Sequence, residues 1–228
     1  MDNTTRLQYL SAMGIDVWVP RAAEKHSATD VPPAEIEQDS WETLYAEMLA
    51  CQQCELSQSR QQVLIGSGNQ QADYLWITEA PSMADDQLGQ PFADTTAELF
   101  TEMLRAMQLS REQVYITHIV KCRPADDHDP RSQELAACNA FLQRQIALVQ
   151  PKILIAVGRI AAHALLQSKA PLAELRGVEH LHAGVPLIAM YHPAYLLRSL
   201  TEKPKVWQDM QRALTLSLPA MESEREGW

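Results

Sequence analysis

The chain has 228 residues, 46% of them hydrophobic and 21% charged, which is room for one α/β domain with a buried core and an appendage. A formal net charge of −10 excludes a protein that lives on non-specific phosphate neutralisation, so any nucleic-acid contact must be local and general DNA affinity weak. No run reaches the roughly 18 unbroken apolar residues of a membrane span, and MDNTTRLQYL lacks the order of a secretory signal, so the chain reads as cytoplasmic.

Residues 1–21 form a short amphipathic segment, with Leu10, Met13, Ile15, Val17 and Trp18 ahead of Pro20. Residues 22–39 are polar and acidic and carry Pro32-Pro33, the composition of a flexible linker. A helix is expected after Ser40 as N-cap, with Trp41, Leu44, Tyr45, Met48 and Leu49 on its apolar face and Cys51 at its end. Strands then alternate with helices. Short apolar runs at 74–77, 114–120, 153–157 and 187–191 are followed by helical patterns at 95–107, 132–149, 160–167 and 204–216. Uniformly apolar strands in that order predict a parallel sheet covered on both faces. The domain is expected over 40–216, with 217–228 a disordered acidic tail.

The four cysteines are Cys51, Cys54, Cys122 and Cys138. A C-x-x-C pair plus two more with no spares predicts one four-thiolate site, since disulfides are rare in the cytosol. Spacing leaves zinc and an iron–sulfur cluster both open.

Ligands of open parallel sheets bind at the carboxyl ends of the strands, where this chain places its unusual polar residues. Glu79 follows the first strand, His118 ends the second and His192 follows the fourth; Phe92 lies in a loop between. Two readings stand for these groups: a catalytic cluster, or a helix-capping glutamate and a satisfied buried histidine.

From Cys51 to about Leu214 the chain resembles the family 4 uracil-DNA glycosylases. The segments that carry the resemblance are CQQCEL, ADYLWITEAPS, GQPF, VYITHIVKCRP, PKILIAVG and YHPAYLLR. The resemblance implies a three-layer α/β/α sandwich around a four-stranded parallel sheet, the uracil-DNA glycosylase-like fold. It also implies a [4Fe-4S] cluster on Cys51, Cys54, Cys122 and Cys138. By the family pattern Phe92 would stack on the base, His192 would donate to it as it leaves, and Glu79 would serve the water or the cationic sugar. The chain departs from that pattern in four places. The family's base-reading asparagine is His118, and GEAPG has become TEAPS, placing Thr78 and Ser82 where glycines stand. PPGNR is replaced by Pro124-Ala125-Asp126-Asp127-His128, and Asp94 follows the Pro-Phe pair. These changes are expected to crowd the base pocket, remove the discriminating amide and make the rim acidic, leaving activity weak or absent.

Residues 10–21, LSAMGIDVWVPR, resemble the N-terminal peptide of the psi subunit of bacterial DNA polymerase III. That resemblance implies a binding protein: Leu10, Met13, Ile15, Val17, Trp18 and Arg21 would hold the clamp-loader ATPase subunits (tau/gamma). The body would bridge to the chi subunit and, through it, to single-stranded-DNA-binding protein. The expectation favours this replication scaffold over its alternative, an active, divergent glycosylase of base excision repair.

Overall fold

The structure, a computed structural model, describes residues 40–217. The N-terminal peptide, the acidic linker and residues 218–228 lie outside the described residues. Helix α1 (Trp41–Ala50) starts as its sequence predicts: the Ser40 hydroxyl accepts a 3.1 Å hydrogen bond from the Thr43 N–H. A short helix α2 (Leu56–Ser59) and a two-residue strand β1 (Ser67–Gly68) follow. Strand β2 (Tyr74–Thr78) leads through α3 (Met83–Leu88) and α4 (Thr96–Ala106) to β3 (Tyr115–His118). Helix α5 (Ser132–Val149) carries the chain to β4 (Ile153–Val157), then α6 (Arg159–Leu166) and α7 (Leu172–Leu175). A hairpin of β5 (Glu179–His182) and β6 (Val185–Met190) precedes α8 (Pro193–Arg198) and α9 (Lys203–Ser217).

The sheet runs β1-β3-β2-β4-β6-β5. Its four central strands pair in parallel, as the apolar runs predict, and β1 and β5 add antiparallel edges. The edges escape a reading based on apolar runs. Strand β5 reads EHLH and alternates exposed with half-buried residues, and its turn rests on positive φ at Ala183 and Gly184.

Strand alternation sorts the core into two layers. Leu75 and Ile77 of β2 pack with Leu44, Phe141, Leu142 and Ala161 of α1, α5 and α6. Tyr74 and Trp76 face Phe100, Leu196, Val206 and Met210 of α4, α8 and α9. The Trp76 ring meets Phe100 edge-on at 5.1 Å. The same alternation assigns the strand ends. Thr78 and His118, paired across β2 and β3, share the α4 side, whereas Thr117 faces α5.

Candidate active site and cysteine centre

Glu79 is the first residue after β2, and its Oε1 accepts a 3.0 Å hydrogen bond from the Ile160 N–H in the first turn of α6. This close approach requires Gly158. A Cβ at that position would lie 2.6 Å from both Cδ and Oε1 of Glu79, and the residue has φ +96°. Burial raises the Glu79 pKa, while the Ile160 N–H and the Arg159 charge oppose the rise. The carboxylate is therefore both a helix-terminal acceptor and a wall of a cleft of about 490 Å³ that it shares with Tyr191, His192 and Arg198.

His192 caps α8. Its Nδ1 accepts from the Ala194 N–H at 3.1 Å, which leaves the ring proton on Nε2, 3.1 Å from the Thr78 hydroxyl oxygen. Burial pulls its pKa down to about 4, so at neutral pH the ring is an uncharged Nε2–H donor.

Phe92 sits 5.5 Å from the His192 ring and stacks on Phe100 at 4.2 Å. Its φ of +52° is unusual for an aromatic residue. Flanking bonds hold that conformation: Arg111 donates to the carbonyls of Pro91 and Phe92, and Asp85 Oδ1 accepts from the Ala93 N–H. His118 is 1% exposed, and neither ring nitrogen has a hydrogen-bond partner. The nearest carboxylate oxygen, Asp85 Oδ2, lies 3.5 Å from Nε2, within ion-pair range but long for a hydrogen bond. Burial lowers the His118 pKa against the pull of Asp85. Burial works against Asp85 as well, but His118 and the Ser82 and Ala93 N–H groups hold it at about 2.

The structure thus gathers Thr78, Asp85, Phe92, His118 and His192 on one side of the sheet. Glu79 lies on the other side of the strand end and meets His192 across the cleft. Asp85 was not among the expected site residues. Its signal was present as Ser82-x-x-Asp85, a capping box in which each residue bonds the other's backbone N–H. Ser82 both starts α3 and lines a second cleft beside Glu79.

Several of the substitutions expected to ruin the pocket have local partners, although the ring nitrogens of His118 do not. The Thr78 hydroxyl engages His192 rather than standing unpaired. Asp94 Oδ1 accepts from the Thr96 N–H at 2.8 Å, and Asp127 pairs with Arg123 at 2.8 Å. These carboxylates are therefore less available as repulsive charge than the sequence suggested.

The four cysteines come from three places: Cys51 and Cys54 at and after the end of α1, Cys122 beyond β3, and Cys138 in α5. All four line one largely apolar cavity. Arg60 Nη1 donates to Cys122 Sγ at 2.9 Å, and the Lys121 N–H donates to Cys138 Sγ at 3.2 Å. Burial raises both thiols, Cys138 to about 11. Among the described residues, no three His, Cys, Asp or Glu groups are placed to hold a single metal ion.

Residues 65–211 match the model of the uracil DNA glycosylase superfamily. The chain belongs to that superfamily. It is 33% identical over 167 residues to the Type-4 uracil-DNA glycosylase of Archaeoglobus fulgidus, covering 70% of this chain and 84% of that protein. The corresponding protein of Thermotoga maritima is 34% identical over 168 residues, 72% of this chain and 87% of that one. A Type-5 uracil-DNA glycosylase of Pyrobaculum aerophilum matches at 35% over 85 residues, a little over a third of either chain.

These findings correct the expected polymerase III role and its leaning away from an enzyme. The psi likeness rests on about a dozen residues that lie outside the described ones, whereas Type-4 glycosylases match across most of this superfamily member. The substitutions are expected to act together in crowding the pocket and making its rim acidic, but Thr78, Ser82, Asp94 and Asp127 each have a partner within the fold. Among the described residues no helix is long and apolar enough to cross a membrane.

Proposed function

We propose that this chain is a cytoplasmic uracil-DNA glycosylase of base excision repair, with a [4Fe-4S] cluster on Cys51, Cys54, Cys122 and Cys138. The observation that carries the reading is the meeting of Glu79 and His192 in one cleft at the carboxyl ends of β2 and β6, with Phe92 beside the imidazole. Hydrolysis breaks the bond between C1′ and N1, adds water oxygen to C1′, and releases the base as an anion that takes up a proton. A neutral His192 with Nε2–H suits the first requirement, because it can transfer its bond from Thr78 to the oxygen on which charge develops. Glu79 suits the second, as an oriented carboxylate that can hold water or face the cationic sugar. Phe92 provides the apolar face for a flipped base. Arg198 lines the same cleft and provides local positive charge for phosphate despite the acidic whole, whereas Arg159 beside it is paired with Asp129.

The cysteine cavity fits the proposed cluster. It offers four thiols, N–H donors to two of the sulfurs and no lining carboxylate. The cluster would supply a covalent tie between α1, the segment after β3 and α5. Single-turnover excision of uracil from single- and double-stranded oligonucleotides tests the activity. Release by the iron-loaded protein that disappears in the Glu79→Ala, His192→Ala double variant is expected. No release from loaded wild type, or equal release from the double variant, would overturn the proposal.

A further inference from the structure

Lys121 is 1% exposed. Its ammonium donates to the Thr117 hydroxyl at 2.7 Å and to the His118 carbonyl at 2.6 Å, and both acceptors are neutral. Burying a lone ammonium costs several kcal/mol unless a negative group compensates it. Among the described residues no carboxylate pairs with it; Lys121 instead lines the cysteine cavity, and its backbone N–H donates to Cys138 Sγ at 3.2 Å. A second cation also reaches the cysteines: Arg60 spans Cys122 Sγ and the Cys51 carbonyl, each at 2.9 Å.

The charges then balance. Four thiolates around a doubly positive cubane core leave two negative charges, and Arg60 and Lys121 bring two positive ones. We infer that Arg60 and Lys121 form a two-cation cradle that neutralises the cysteine-held cluster and sets its stability and reduction potential. Lys121 is also a positioning residue, because the same ammonium holds the carbonyl of His118, the last residue of β3, and so links the cluster to the strand end beneath the base pocket. The inference rests on the cluster reading above and is independent of glycosylase activity.

The test uses anaerobically purified, iron-loaded full chain as wild type, Lys121→Gln, Arg60→Gln and Arg60→Lys. Glutamine keeps a donor at position 121 and removes the charge. Iron release to a chelator and the midpoint potential of the cluster are the readouts. Both glutamine variants should lose iron about tenfold faster than wild type, the loss expected for one charge-assisted interaction. Their midpoints should also move to more negative values, whereas Arg60→Lys should stay close to wild type in both. Unchanged potentials in the glutamine variants overturn the inference whatever their release rates, as does an Arg60→Lys protein that behaves like Arg60→Gln. If Lys121→Gln does not fold, the two Arg60 variants decide the matter. An iron-free wild type overturns the cofactor reading, and the cradle with it.

Discussion

Replacing Gly158 by alanine tests the geometry of the Glu79 site without touching a functional group. The new Cβ would stand 2.6 Å from the Glu79 carboxyl, about 0.8 Å inside ordinary contact at 3.4 Å, so the carboxylate must swing away from α6. A backbone at φ +96° and ψ 169° adds about 1–3 kcal/mol of strain for any residue with a side chain. The 3.0 Å bond from the Ile160 N–H is lost in the same movement. At about 2–4 °C per kcal/mol, the melting temperature should fall by roughly 3–10 °C. If the carboxylate must be oriented for excision, the single-turnover rate should fall by about 10²–10³, the range seen when an oriented transition-state group is displaced. Excision by Gly158→Ala at the wild-type rate, in a protein that melts lower, would refute the claim that the α6-bound carboxylate is the reactive one. Equal melting temperatures would refute the steric argument itself.

Thr78→Ala removes the hydroxyl that occupies His192 Nε2–H in the free protein; excision should rise about two- to tenfold at a small cost in stability, and a fall would show that the hydroxyl assists. Burial depresses the His192 pKa to about 4 from 6.5, so its stabilising contribution is complete above pH 6.5 and is lost as pH falls towards 4. The loss is at most about 3 kcal/mol, less where solvent reaches the partly buried ring. Thermal denaturation at pH 7.5 and 4.5 should therefore show a larger acid loss in wild type than in His192→Asn; parallel losses would remove His192 as the cause. Serine at any one of the four cysteine positions should lower iron content and melting temperature together, and a fully loaded variant would remove that cysteine from the ligand set.

The central sheet was legible because β2, β4 and most of β6 are unbroken apolar runs, a pattern set by burial on both faces. The first described helix was legible from its Ser40 cap. The cysteines declared a shared site through spacing and number alone. The pocket was harder to read. Whether Thr78 blocks or serves depends on His192, which lies 114 positions away, and whether Asp94 and Asp127 repel depends on the neighbours that donate to them or pair with them. Asp85 announced a helix cap, but nothing local said that its carboxylate would also face His118.

Lys121 shows the boundary most sharply. In sequence it is a polar residue at the end of an apolar strand, next to Cys122. In the fold it is buried between Thr117, the His118 carbonyl and the cysteine cavity. Local pattern records which residues avoid water and where helices begin, because those preferences act between near neighbours. Which polar groups meet inside depends on long-range strand order and side-chain face. Only tertiary packing brings together the donors, acceptors and charges whose pairing decides their chemistry.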